Sequence, residues 1–226
     1  MSTSRLSEIV DVRGQTLALV RELTQEQFDH RPEADRWSAG EIVEHLTISN
    51  RRYLGEIRKL IELKRAGRRP EIYVRLSEMD FRVPFVPRAL LPLADIPLGV
   101  FNYFLPNRLR EIFLSTPIVP VDTAPILRPR TGLDRESLIQ GLEASLEETR
   151  RLIQDNSALD FSTFRYYHPI FGFNGVEDIL GLLASHERRH HSQLKEAIAK
   201  APQTGRANRD AGATAPSEPI SPDLTL

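Results

Sequence analysis

The sequence predicts an all-α fold: a four-helix bundle with a long crossover or insertion between its second and third helices. Three observations carry that expectation. Four long stretches repeat apolar side chains every three to four positions, the period of an amphipathic helix. No segment shows a convincing two-residue alternation of the kind a half-buried strand requires. The chain has 226 residues, 40% hydrophobic and 27% charged, which suits one globular domain with a tail.

The first helix is expected from about Ser4 to Leu23, with Leu6, Ile9, Val10, Leu17 and Val20 near one side. The second has a sharp start. Ser38-Ala39-Gly40-Glu41 is a capping box, and Trp37 and Ile42 occupy the positions of a hydrophobic staple. Its inner stripe carries Ile42, Leu46, Ser49, Tyr53 and Ile57, and Gly67 and Pro70 end it after Ala66. Residues 68–131 hold ten of the chain's 16 prolines, which rules out long uninterrupted helices there. Phe81 to Leu105 is rich in Phe, Leu and Val, but prolines and charges break it well short of the ~20 apolar residues of a membrane span. It reads as a hydrophobic insertion packed on the domain, with a short helix around Gly99–Leu114 interrupted at Pro106. The segment is expected to cover one end of the bundle.

Asp134 is the expected N-cap of the third helix, whose apolar side holds Leu138, Leu142, Leu146, Leu152 and Ile153. The stretch FRYYHPIFGFNG, Phe164 to Gly175, is aromatic and punctuated by Pro and Gly, so it reads as a structured loop. The fourth helix follows, from about Gly175 to Ala199. The bundle domain is therefore expected over residues 1–200, and the polar 201–226 tail is expected to be disordered.

Composition removes several function classes. A net charge of −1 creates no field for nucleic acid or acidic lipid. The basic run from Arg51 to Arg75 is interrupted by Glu56, Glu62 and Glu71, as a solvated helix face would be. With no cysteine, the chain has no disulfide, thiolate ligand or Cys nucleophile. Any transition-metal site must rest on His, carboxylate and water. The N-terminus MSTSRLSEIVDVRGQ lacks the apolar core of a signal peptide, and a cytoplasmic location is expected.

The chemistry points to the fourth helix. In HERRHHSQL, His186 and His190 stand four residues apart, so their Cβ atoms lie roughly 5–6 Å from each other on one face. Ile179, Leu183, His186, His190 and Leu194 share about 80° of arc, whereas His191 turns about 100° away. Two polar rings on an apolar stripe need partners. A single His there is usually a hydrogen-bonded core residue; an i,i+4 pair is less easily explained so, but a metal site needs a third ligand. His30 lies in the turn between the first two helices, and His168 precedes Pro169 in the aromatic loop. His45 is different, because it sits at the edge of the Ile42/Leu46/Ser49 stripe. With His186 and His190 it would complete a three-nitrogen site inside a bundle. Glu41, Glu44, Glu187 and Gln193 are candidates to support those rings, with capping or solvated roles favoured for each. Arg188 and Arg189 read as surface charge or as partners for carboxylates of other helices, and Arg165, Tyr166 and Tyr167 as structural residues or the lining of a pocket, the structural reading being favoured.

Residues Arg31–Leu46 (RPEADRWSAGEIVEHL) and His168–Leu194 (HPIFGFNGVEDILGLLASHERRHHSQL) resemble the DinB-like four-helix-bundle superfamily, in particular its DinB-like domain branch of metalloenzymes. The likeness covers roughly residues 4–200. Matched position by position, it implies His45, His186 and His190 as metal ligands. The implied cofactor is a divalent metal, with zinc or nickel ranked ahead of iron, cobalt and manganese. Relatives in the wider superfamily include thiol-dependent transferases and isomerases. The resemblance therefore implies activation of a low-molecular-weight thiol, or of water, for transfer to a small-molecule substrate. A hydrolase would use the same site, and no individual catalytic residue follows from the motifs. The insertion over 68–131 and the added tail depart from the family pattern. Two other readings remain open: a non-catalytic metal-binding or interaction module, and a metal-free bundle with a polar His core. An exposed apolar insertion would also support a homodimer.

Overall fold

The computed structural model describes residues 3–75, 127–168 and 172–202. Helix α1 spans Thr3–Val20, α2 Gln25–Asp29, α3 Ala39–Arg65, α4 Arg135–Gln154 and α5 Val176–Lys200. Three short strands, β1 Glu71–Tyr73, β2 Arg165–His168 and β3 Gly172–Asn174, form one sheet in that order. The expectations for the Phe81–Leu105 insertion, the Gly99–Leu114 helix and the tail beyond Pro202 lie outside the described residues.

Local chemistry sets the helix ends. Ser38 Oγ accepts from the Glu41 amide, and the Glu41 carboxylate accepts from the Ser38 amide. Asp134 caps α4 by accepting from the Ser137 amide at 2.8 Å. Gly67, at φ 69°, closes α3: the Arg68 amide reaches back to the Leu63 carbonyl at 2.9 Å and the Gly67 amide to Lys64. The first helix is shorter than its apolar pattern predicts. After Val20 the chain turns, and Thr24 opens α2 with its own capping box on Gln27. That brief helix buries Phe28 against Gly40, where an added Cβ would sit 2.8 Å from the ring.

The side-chain pairings define the packing. Residues 13 and 16 of α1 meet 187 and 191 of α5, so those helices run parallel. Asn50 meets Ser145, Arg58 meets Glu148 and Arg65 meets Asn156, so α3 and α4 also run parallel. Across the pairs the sense reverses: Arg135 bonds the Arg21 carbonyl while Arg13 bonds that of Leu142. Parallel neighbours cannot be joined by a tight turn, which is why a long connection separates α3 from α4.

The sheet was not legible as strands. Strands of three or four residues are too short to display alternation, and β1 pairs in parallel with a β2 distant in sequence. Ile72 stands opposite Tyr166, and Tyr166 opposite Asn174 across the antiparallel β2–β3 pair. The aromatic stretch expected as a loop thus supplies two strands beside the lower apolar cluster, where Phe161, Phe164 and Tyr166 pack with Ile57, Leu60, Val176 and Ile179. A second apolar cluster fills the other end, built on Val20, Phe28, Ile42, Val43, Leu46, Leu142 and Leu194.

Between the two clusters every long helix turns polar at the same level. Arg13 and Thr16 of α1, His45, Ser49 and Asn50 of α3, Ser145 and Thr149 of α4, and Glu187 and His190 of α5 are all buried there. Among the described residues, no helix is long and apolar enough to cross a membrane.

Candidate metal centre

The polar waist holds two separate constellations, one on each side of α5. On the α3 side, His45, His186 and His190 converge. His186 Nε2 lies 3.2 Å from His45 Nε2 and 3.2 Å from His190 Nε2. The ligand atoms of all three lie within 4.8 Å of one another. Nitrogens bound to one tetrahedral zinc at about 2.0–2.1 Å would stand about 3.3 Å apart, so these two spacings match the edges of a coordination sphere.

The far nitrogens explain why Nε2 faces inward. His45 Nδ1 donates to the Leu127 carbonyl at 2.8 Å, and His190 Nδ1 donates to Gln193 Oε1 at 2.5 Å. With the protons on Nδ1, both Nε2 atoms present lone pairs to His186. One proton on His186 Nε2 would have to serve two acceptors at once. A divalent cation satisfies all three nitrogens together, so the residues present fit a metal.

Electrostatics agree with that assignment. Burial pushes the His45 imidazole below its ordinary range, against the opposing pull of the Leu127 carbonyl. Burial, with His45 as the next influence, takes His190 down to about 3. Burial and the neighbouring His190 and His45 hold His186 well below its usual value. Neutral imidazoles are the form a metal binds.

Trp37 forms one wall. Its ring centroid lies 4.8 Å from that of His45 and 6.2 Å from that of His190, stacked on the latter with a 16° interplanar angle. One turn further along α3, Ser49 Oγ is buried with no hydrogen-bond partner among the described residues. Other buried hydroxyls in the bundle bond their own helix: Thr47 to Val43, Ser145 to Leu142 and Thr149 to Ser145. Ser49 does not follow that habit.

A model of the DinB superfamily matches residues 8–194. The chain belongs to that superfamily. No curated protein matches it significantly. Within this DinB-superfamily chain, the three His expected at the site are the three that the fold brings together. His30 ends α2 half-buried and is not one of the three grouped rings. His168 closes β2, where burial takes it down to about 3, with Tyr166 6.2 Å away by ring centroid.

The supporting residues divide less simply. Glu41 is the cap that the sequence implies, and it also holds Arg31 in an ion pair. Glu44 is buried and takes Arg130 through both the side chain, at 2.7 Å, and the backbone amide. Residues 127–130 are thereby clipped to α3 beside His45. Gln193 contacts a ring directly, although a solvated role was expected for it. Glu187 is likewise not solvated: only 3% exposed, it takes Arg13 and Thr16. Arg188 pairs with Glu8 of α1 while staying largely exposed, so both of its expected roles are met. Trp37, Leu127 and Arg13 escaped the sequence reading. Trp37 was legible only as a staple residue, a carbonyl carries no sequence signal, and Arg13 looks like any surface cation.

Proposed function

We propose that the protein is a divalent-metal-dependent enzyme whose ion is held by Nε2 of His45, His186 and His190. The observation that carries this reading is the convergence of three neutral imidazoles, two of them with Nδ1 already anchored. When bound, such an ion acidifies a water or thiol and polarises a carbonyl, and three protein ligands leave a position open for one of them. The rest is done by the chain. Leu127 and Gln193 fix the tautomer and tilt of two rings, and Trp37 keeps one side of them apolar. Because the chain has no cysteine, any thiol must arrive with a substrate, as a low-molecular-weight compound. The reaction proposed is transfer of that thiol, or of water, to a small-molecule electrophile. Zinc or nickel are the first ions to test.

The direct test is elemental analysis of tag-free protein beside His186→Ala. About one equivalent of a divalent metal, lost in the variant, is the expected result, and thiol-transfer and hydrolysis assays follow. Folded protein that takes up no zinc, nickel or manganese would sink the proposal. A second reading, an ion that only secures the bundle, draws on the depth of His45 and His190, 4% and 7% exposed. Azide or a small thiol that leaves the spectrum of the cobalt-substituted protein unchanged would favour it.

A further inference from the structure

The constellation on the other side of α5 has no place in that chemistry, yet it is buried and densely hydrogen-bonded. Arg13 is 1% exposed. Its Nε and Nη2 donate to the two Glu187 oxygens at 2.8 and 2.9 Å. Its Nη1 donates to the Leu142 carbonyl at 2.5 Å and to Ser145 Oγ at 3.0 Å. Ser145 in turn accepts from Asn50 Nδ2 at 3.2 Å. Thr16 Oγ1 donates to Glu187 at 2.6 Å and lies 2.9 Å from His191 Nε2. One connected network therefore touches all four long helices.

Stability alone is a poor reason for such a network. Well-packed apolar side chains in place of a buried ion pair are often neutral or stabilising. Its placement suggests another role. Glu187 follows His186 and His191 follows His190, each about 100° further round α5. Tying Glu187 and His191 to α1 leaves His186 and His190 facing α3. We propose that Arg13, Glu187 and Thr16 are positioning residues that set the rotation of α5 about its own axis, and so hold the two imidazoles against His45. The inference rests on the metal-centre reading above.

Helix geometry gives the sensitivity. A His Nε2 stands roughly 6–7 Å from the helix axis, so a rotation of about 10° moves it by about 1 Å. Apolar contacts above and below, at Leu183 and Leu194, are non-directional and absorb such a rotation. A bidentate guanidinium–carboxylate fork does not, because both hydrogen bonds fail together. A ligand set misplaced by about 1 Å is a weakened one.

The test replaces the pair as a whole, Arg13→Met with Glu187→Met, so that no lone charge is left inside. Cobalt(II) is titrated into wild type and variant, following heat and the visible absorption of the bound ion. The expected variant folds, melts without metal at or above the wild-type temperature, binds cobalt at least tenfold more weakly and shows a displaced absorption band. Thr16→Val, which removes only the hydroxyl between Glu187 and His191, is expected to weaken binding a few-fold. If the double variant does not fold, Thr16→Val and Glu187→Gln decide the matter by the same readings. Wild-type affinity and spectrum in the folded variants would overturn the positioning role while leaving the metal centre intact. A wild-type protein that binds no divalent ion would sink the metal reading, and this inference with it.

Discussion

The two faces of α5 make opposite use of the same kinds of atom. Toward α1, Glu187 has its carboxylate matched by Arg13 and Thr16, and Arg13 donates in turn to Leu142 and Ser145. Toward α3, His186 and His190 bring nitrogen lone pairs to His45, and no donor among the described residues suffices for all of them. Both sets are buried at the same level between the apolar clusters, so depth does not distinguish them. Completeness does. A network closed on itself holds structure, whereas convergent acceptors left open are a place for something the chain does not supply.

That contrast can be broken from either side, starting with the largest effect. Arg13→Ala leaves the Glu187 carboxylate buried and unpaired, and should cost about 3–5 kcal/mol in urea unfolding. A loss under about 1 kcal/mol would mean that the closed face is dispensable. On the open face, Gln193→Ala should leave the metal-free protein within about 0.5 kcal/mol of wild type. Its metal affinity should fall roughly 10–100-fold, because the His190 ring loses its anchor; calorimetric titration reads both limits. Equal affinity would remove Gln193 from the centre.

Acid offers a third lever, smaller for each pH unit than the loss of Arg13. His168 and His190 titrate near 6.5 when unfolded but are held at about 3 in the fold. Between those values the unfolded chain binds more protons, so stability is complete above the upper value and is lost as pH falls. The slope should be about 1.4 kcal/mol per pH unit for each group, measured by urea midpoints in the presence of chelator. His168→Asn should flatten that slope by one group's share, and an unchanged slope would show that burial does not govern it. The smallest effect runs in the opposite direction. Ser49→Ala removes a buried hydroxyl without a partner and should raise stability by about 1 kcal/mol. Destabilisation instead would mean that the hydroxyl is already satisfied in solution.

The sequence disclosed the bundle because its signals are local. Ser38 with Glu41, Asp134 and Gly67 mark helix ends through contacts within a few residues, and the structure places the ends there. The 3.6-residue period likewise put His186 and His190 on the same stripe. What stayed hidden depends on partners distant in the chain. The β1–β2 pairing joins Ile72 to Tyr166, and strands so short have no period of their own. Glu187 turns about 100° away from His186, within reach of a neighbouring helix, but nothing local in the sequence names its partner Arg13, 174 positions away. Leu127 contributes a backbone carbonyl that any residue type would carry.

Trp37 has a consequence outside coordination chemistry. It is the chain's only tryptophan, and its indole stacks on His190 and lies against His45. Its emission therefore comes from a single place, in contact with two of the three rings. Paramagnetic nickel or cobalt seated there would darken that emission, zinc would shift it without darkening, and protonated imidazoles would quench it as acid opens the site. The protein carries an optical reporter of its own centre, readable in any cuvette without a label.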